Sequence, residues 1–423
     1  MSDEEGADRG SRGHGDGREK GAGSAGVERT LLRRKVDAAL TLNVVMLIDS
    51  LGPGGAERST AALAAPLAHA GHQVSIVLLR SVPAGYEDEV RAAGVRLEVL
   101  GACRFVGRVR ELRRILRRDR PDVLHTALFA SDQVGRLASF RLPVAVVSSL
   151  VNVPQMRQPD SSVWMRTKLR VVRMLDVTSG RLFVDRFHAV TQGVADAYSD
   201  SYALAAEKVT VVERGRDSAA LGSRTAERRA QVRTREGWSA EDEVVIAVGR
   251  HEQDKAHLDL IQAISILAPH RPHLRLVVAG RPGPTTERIG VAIQQHDLDA
   301  RVDLVGQRLD VNDLIAAADV LASSSTREGA AGAIVEAFGI GTPVVATRLA
   351  GLAGVVVDDE NAIAVRPGHP EEMADALVRL LDDAALAQRL ADSGRHTFES
   401  RFTIERAADG MSAVYSRLSR SAS

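Results

Sequence analysis

The stretch "STREGAAGAIVEAFGIGTPVVA", residues 325–346, sets Glu328 and Glu336 eight positions apart among small and apolar residues. On one continuous helix these carboxylates would be about 12 Å apart along the axis, too far to act on one atom as acid and base. Gly329 and Gly332 place Glu328 in a loop and Glu336 in the first turns of a helix beginning near Gly332. Carboxylates are poor company for phosphate but accept hydrogen bonds well from neighbouring hydroxyls, as in a ribose diol or a hexose. The alternative for Glu336 is a surface-facing side chain. Its position between Val335 and Ala337, in a small-residue helix before an apolar strand, favours the wall of a site, because an unpaired buried acid is costly.

Phosphate chemistry points elsewhere. In "VGRHEQDK", Arg250 and Lys255 stand just past the apolar run of residues 244–248. Two cations at a strand's carboxyl end suit a diphosphate, Arg in forked geometry and Lys as a point charge. Solvated loop charges are the alternative. In "LGPGGAERS", Gly54 and Gly55 allow close backbone approach and precede a helix whose N-terminus favours an anion, although a plain tight turn would use the same residues. This is not the dinucleotide fingerprint, which speaks against an ordinary dehydrogenase. "AGRPG", with Gly280 and Gly283, leaves space at another strand end. His125, also at a strand end, reads as a satisfied structural histidine.

These residues need a scaffold of strand ends. "TLNVVMLIDSLGPGGAERSTAALAAPLAHAGHQVSIVLL" reads as strand, glycine loop, helix, strand, and short apolar strands follow at residues 96–100, 123–125, 144–149 and 187–191. The alternation restarts at "EVVIAVGR" and runs through "LRLVVAG", "VDLVG", "VLASSS" and "TPVVAT", with helical stretches between, to "PEEMADALVRLLDD". Continuous rather than alternating hydrophobic strands imply parallel sheets covered on both faces, so the fold class is α/β with two consecutive doubly wound domains. A polar, Arg-rich joining segment is expected over residues 215–239, and a final amphipathic helix over residues 402–418.

At 423 residues the chain is long enough for two domains and a deep cleft. Hydrophobic residues at 44% and charged residues at 26% place it among ordinary globular proteins. The single cysteine, Cys103, rules out an intramolecular disulfide framework and fits a reducing interior. No run approaches the roughly 18–20 apolar residues of a membrane span, and the polar start "MSDEEGADRGSRGHGDGREKGAGSAG" lacks a signal-peptide core. Residues 1–40 are therefore expected as a disordered tail, and the protein is expected in the cytoplasm.

The zero net charge conceals an asymmetry. Residues 41–216 carry 24 Lys/Arg against 17 Asp/Glu and residues 217–423 carry 23 against 30, so the halves are +7 and −7. Much of the excess lies between Arg104 and Arg120, where Phe105, Val109, Leu112 and Leu116 recur at helical spacing. That segment reads as an amphipathic helix covering a sheet with a solvated Arg face; peripheral docking on the anionic inner face of a membrane is the alternative. No aromatic-interleaved basic surface suggests nucleic acid.

Together "GGAERS", "RPDVLHTALFASDQVGRLA", "VVERGRD", "VGRHEQDKAHLDLIQAI", "LVVAG", "VGQRLDVNDLIAAADVLASSSTREG" and "AIVEAFGIGTPVVAT" resemble the retaining GT-B glycosyltransferases of family 4, over about residues 43–381. The resemblance implies two Rossmann-like domains facing a central cleft. The acceptor domain would span residues 41–215 and the nucleotide-sugar donor domain residues 216–401, with the final helix, residues 402–420, returning to the first. It implies transfer of a hexose from a nucleotide diphosphate sugar to a sugar or lipid-linked hydroxyl acceptor, with no metal and no cofactor. Arg250 and Lys255 match the pair that holds the diphosphate, Glu336 the acid at the ribose and Glu328 the acid at the transferred sugar. Gly332 and Gly280 fall in the donor motifs, and the backbone around Arg308 and Leu309 would meet the base. Gly54 and Gly55 match the loop beside donor phosphate and acceptor.

Three positions depart from the family pattern. Val151 stands where many members carry a histidine, Ala256 replaces a common glycine after Lys255, and Gly354 replaces a frequent glutamate. A catalytically silent nucleotide-sugar sensor and a GT-B-shaped nucleotide-sugar epimerase are the alternatives to a transferase.

Overall fold

The computed structural model describes residues 41–421 apart from 53, 84, 103 and 153–162; of residues 163–169, 420 and 421 it describes only the backbone. The expected tail and Cys103 lie outside the described residues.

Residues Thr41–Ser423 form one compact unit built on two parallel sheets. The first contains β1 (Asn43–Ile48), β2 (Gln73–Leu78), β3 (Arg96–Val99), β4 (Val123–Ala127), β5 (Ala145–Leu150), β6 (Arg186–Ala189) and β7 (Val209–Val211), in the order β3-β2-β1-β4-β5-β6-β7. The second contains β8 (Glu243–Val248), β9 (Leu274–Ala279), β10 (Val302–Gly306), β11 (Val320–Ser323), β12 (Val344–Thr347) and β13 (Ile363–Val365), in the order β10-β9-β8-β11-β12-β13. Each order reverses direction beside its first strand, between β1 and β4 and between β8 and β11. In open parallel sheets such reversals leave a crevice at the strands' carboxyl ends, where ligands bind.

Helices cover both faces, as continuous apolar strands require. In the first half these are α1 (Gly55–His69), α2 (Glu87–Ala92), α3 (Phe105–Asp119), α4 (Phe129–Ser139), α5 (Val163–Phe183) and α6 (Gln192–Tyr202). Val44, Met46 and Ile48 pack with Ala61 and Leu67 of α1, while Val45 and Leu47 on the opposite face pack with Leu112 and Leu116 of α3. The second half adds α7 (Ser218–Leu221), α8 (Ala226–Glu236), α9 (His257–Leu267), α10 (Thr286–Gln295), α11 (Val311–Ala317), α12 (Gly332–Ile340), α13 (Pro370–Asp382) and α14 (Ala384–Arg401). The last helix, α15 (Ile404–Ser421), packs Ala407, Met411, Val414 and Tyr415 into the core of the first sheet.

The two passages of chain between the sheets are stitched together. Arg216 N–H donates to Phe402 O at 2.8 Å, Ile404 N–H donates to Arg216 O at 3.0 Å, and Arg401 pairs with Glu213.

The structure adds elements that the sequence pattern did not give and corrects one expectation. The joining segment at residues 215–239 carries α7 and α8. Val232 is the buried apolar residue of α8, which is held instead by Arg228 on Asp313 and by Arg229 and Arg233 on Asp319 and the carbonyls ending α11. An apolar period is therefore absent where charge supplies the anchoring. β7 and β13, three residues each, close the sheet edges and are too short to carry a readable period. On α3, Val109, Leu112 and Leu116 face the sheet, but Phe105 in the first turn is exposed, outside that covered stripe.

Candidate functional site

The charged candidates and the Gly54–Gly55 loop follow strands at the two reversals, whereas Gly280 follows β9 and Arg308 and Leu309 follow the edge strand β10. Arg250 and Lys255 follow β8, and Glu328 follows β11 beside it. The two loops are bound to each other: Ser324 Oγ donates to Lys255 O and Ala256 O, both at 3.0 Å, and Thr326 N–H donates to Asp254 O at 2.8 Å. Thr347 Oγ1 at the end of β12 holds Ser325 O at 2.5 Å. That bracing brings Lys255 Nζ to 2.5 Å from Glu328 Oε1, which also accepts from Ser325 Oγ at 2.7 Å. Sequence spacing placed the acids and the cations in separate roles. The fold makes Lys255 and Glu328 one ion pair, because β8 and β11 are adjacent although far apart in sequence. Arg250 Nη1 lies 2.9 Å from Glu252 Oε1, exposed at the rim.

Glu336 sits on the second turn of α12 and is 4% exposed. Its cost of burial is met by two guanidiniums on the same oxygen, Arg58 Nη1 at 2.7 Å and Arg216 Nε at 2.8 Å. Arg58 belongs to α1 and Arg216 to the passage between the sheets, so this acid ties together both halves and their connection. The Arg216 side chain also fills the space over Gly332, where a Cβ would lie 2.6 Å from Arg216 Nη2. Glu336 is therefore neither surface-facing nor unpaired. Neither arginine was singled out in the sequence; both lie inside motifs, "GGAERS" and "VVERGRD", but only the fold aims them at α12.

Gly280 is required by packing, since a Cβ there would lie 1.8 Å from Gly249 O and would force apart the ends of β8 and β9. The Arg308 guanidinium is committed to Asp310 and Glu236, each at 2.7 Å, which leaves the backbone of its loop and the 99% exposed Leu309 to face solvent. On the opposite wall, Gly54 precedes α1 with the Glu57 carboxylate folded over it, while the Cβ position of Gly55 is open space.

The walls touch on one side. Thr191 Oγ1 donates to Gly329 O at 3.2 Å and to Gly351 O at 3.1 Å, and a Cβ on Gly193 would lie 1.9 Å from Ala350 O. The Val151 carbonyl sits against Gly329, so the residue at the family's histidine position meets the loop that carries Glu328. Ala256, at the family's glycine position, is left-handed (φ 47°), a conformation costing a Cβ-bearing residue about 1–2 kcal/mol. Gly354 is also left-handed (φ 74°), which suits glycine.

Beneath the first sheet's carboxyl ends lies a cavity of about 30 Å³, floored by His125, Ser149 and His188. His125 bonds Tyr415 Oη at 2.6 Å and Ser149 Oγ at 2.8 Å; Ser149 reaches His188 Nδ1 at 2.8 Å, and His188 Nε2 meets Val212 O at 2.8 Å. Burial pushes His125 well below the ordinary imidazole range and His188 down to about 4, so both are neutral. His125 is thus a satisfied interior group. Among the described residues no cluster of His, Cys, Asp and Glu has the arrangement of a metal site, and no helix is long and apolar enough to cross a membrane.

Two parallel sheets with alternating helices, paired charges at the reversal of one and a glycine loop at the reversal of the other, define a two-domain α/β protein. The model "Glycosyltransferase Family 4" matches residues 53–220, and "Glycosyl transferases group 1" matches residues 228–397. The chain is 31% identical over 309 residues to a D-inositol 3-phosphate glycosyltransferase of Salinispora arenicola, covering 70% of this chain and 68% of that protein. It is 27% identical over 364 residues to the protein of that name from Thermobispora bispora, covering 80% of each. Among solved structures, Anabaena HepE in complex with UDP-glucose superposes with a TM-score of 0.77 at 22% identity, over 89% of this chain and 100% of that one. Sucrose-phosphate synthase of Thermosynechococcus elongatus gives 0.76 at 21%, over 90% and 100%. The chain belongs to the GT-B glycosyltransferases, enzymes that transfer sugars.

Proposed function

We propose that this is a retaining family 4 glycosyltransferase that moves a hexose from a nucleotide diphosphate sugar to a hydroxyl acceptor, without a metal or cofactor. The observation that carries the reading is the ion pair Lys255–Glu328 at the strand-order reversal of the second sheet, opposite the Gly54–Gly55 loop. Lys255 and Arg250 meet the diphosphate, Glu328 accepts from hydroxyls of the transferred sugar, and the second oxygen of Glu336 accepts from the ribose. The backbone at Arg308 and Leu309 and the space kept at Gly280 and Gly332 complete the donor side. UDP-glucose, bound by Anabaena HepE, is the first donor to test.

In the reaction the bond between the anomeric carbon and the diphosphate oxygen breaks and the acceptor oxygen bonds that carbon on the same face. The acceptor's proton passes to the leaving phosphate oxygen. Charge grows on the diphosphate, and cations already in place stabilise it more in a closed cleft than in water. This route needs no separate strong base, consistent with Val151. Closure of the two walls keeps water from the donor.

A thermal-shift screen of UDP, GDP and ADP sugars tests the reading, because a ligand bound to the native state raises apparent stability by mass action. A shift with one nucleotide series, followed by transfer to an added acceptor, is the expected result; no shift with any series refutes it. Donor bound but never turned over would instead favour a sensor, and conversion of the donor sugar without an acceptor would favour an epimerase. The exposed Phe105 and Val106 beside the arginines of α3 support a peripheral contact with anionic lipid on the cytoplasmic side. Flotation with anionic but not neutral vesicles tests that part.

A further inference from the structure

A buried histidine lies under the loop that carries Arg250 and Lys255. His257, in the first turn of α9, is 5% exposed. Its Nε2 is 3.2 Å from Gly249 O, and because a carbonyl only accepts, this nitrogen carries the proton. Nδ1 is then a bare acceptor, buried with no partner among the described residues. An apolar side chain would fill the same space without the cost of that orphaned atom, so what a histidine adds here is the donor at Nε2. Burial holds the ring neutral, down to about 4, against the backbone of Gly249 and Arg250, which favours its charged form.

Gly249 O is confined from a second side. A Cβ on Gly280 would lie 1.8 Å from it, and the Lys255 stem covers Gly249, with Cγ 3.2 Å from that residue's Cβ position. Gly249 and His251 N–H donate to Ala279 O and Arg281 O, both at 3.0 Å, and so extend the pairing of β8 with β9. Successive residues of a paired strand turn their backbone groups to opposite sides, so Arg250 N–H faces away from β9, towards β11. Peptide planarity gives the same direction, since the C=O and N–H of one trans peptide point opposite ways. The pairing of β11 with β8 ends at Leu321 and Ile246, which leaves that side as the crevice of the strand-order reversal. Arg250 O is taken by Glu252 N–H at 2.7 Å, whereas Arg250 N–H has no hydrogen-bond partner among the described residues. Glu328, the acid of that crevice, is already held by Lys255 and Ser325.

We propose that the backbone N–H of Arg250 donates to the diphosphate of the nucleotide sugar, and that His257 is the positioning residue that aims it by holding Gly249 O on the far side of the same peptide. The loop then offers three donors to the leaving group: a guanidinium, an ammonium and a fixed amide. An amide locked by its own peptide plane needs no reorganisation as charge grows on the diphosphate, and its hydrogen bond to an oxyanion is of the strong, charge-assisted kind. Turned over, the same peptide would present a carbonyl to the diphosphate and repel it. This rests on the glycosyltransferase reading for the place of the diphosphate.

The test is calorimetric titration of the full chain with UDP, GDP and ADP, in the wild type and in His257→Gln, His257→Asn and His257→Phe. Glutamine puts an amide N–H near the place of Nε2, asparagine is too short to reach Gly249 O, and phenylalanine fills the space without a donor. For the nucleotide that the wild type binds best, His257→Phe and His257→Asn should bind about tenfold more weakly, and His257→Gln should stay within about threefold of the wild type. Packing alone would rank phenylalanine above glutamine, the reverse order, and melting temperatures read that ranking separately. A crystal structure of the wild type with the same nucleotide should place Arg250 N within about 3.2 Å of a diphosphate oxygen. Wild-type affinity in His257→Phe, a loss in His257→Gln as large as in His257→Phe, or an Arg250 N that makes no diphosphate contact overturns the proposal and leaves the glycosyltransferase reading standing. A wild type that binds none of the three nucleotides overturns both.

Discussion

Replacing Glu336 by Gln keeps the volume and one acceptor oxygen but removes the charge that two arginines share. Hydrogen bonds to charged groups contribute about 1.5–3 kcal/mol when buried. The Arg216 arm, with an 8% exposed side chain, should count almost in full. The Arg58 arm is 32% exposed and is discounted for solvent screening to under about 1 kcal/mol. The sum is about 3 kcal/mol, and at about 2–4 °C per kcal/mol for a domain of this size the melting temperature should drop by about 6–12 °C. Circular-dichroism melting measures it, and calorimetry with UDP should show nucleotide affinity falling by about tenfold or more, one lost charged hydrogen bond to ribose. A variant melting within about 1 °C of the wild type would refute the bracket as a stabilising device. Unchanged nucleotide affinity would refute the ribose role, and Arg58→Ala should cost far less than Arg216→Ala because of the difference in exposure.

Three further outcomes follow from particular contacts. Lys255→Ala should lower transfer by about 10²–10³-fold, the effect of deleting a charge-stabilising donor, while far-UV dichroism stays native; steady-state rates at saturating donor decide it, and adding Glu328→Gln should not restore them. Ala256→Gly should stabilise the protein by about 0.5–1 kcal/mol, because the position is left-handed, and thermal melting at fixed pH would show it. Stability should also fall with acid. His188 and His257 are held down to about 4 by burial, so below pH 6.5 the unfolded chain takes up protons first. Each costs up to about 1.4 kcal/mol per pH unit as pH falls from 6.5 towards 4. Asp132, raised to about 6 by burial, opposes with one proton, so the net loss remains; a melting temperature flat between pH 6.5 and 4 would contradict it.

The candidate site was legible where chemistry is local. Arg250 and Lys255 after an apolar run, and Glu328 before a glycine-broken helix start, needed only residue type and spacing to be placed at strand ends. Arg58 and Arg216 were not legible, because a surface arginine and a cleft arginine look alike in a sequence. What separates them is a partner 278 positions away for Arg58 and 120 for Arg216. The helix α8 was missed for a related reason, since arginine bonds to carbonyls and aspartates replace the apolar stripe that periodicity detects.

Sequence alone determined the repeating strand–helix alternation, hence two parallel sheets, since backbone hydrogen bonding and burial on both faces leave long apolar strands few other arrangements. Tertiary structure decided which strands became neighbours, and so which charges met. The adjacency of β8 and β11 turned Lys255 and Glu328 into a pair, and the closely tied passages at Arg216 and Phe402 brought an arginine to Glu336. Charge interactions depend on distance and burial, which only the folded chain sets.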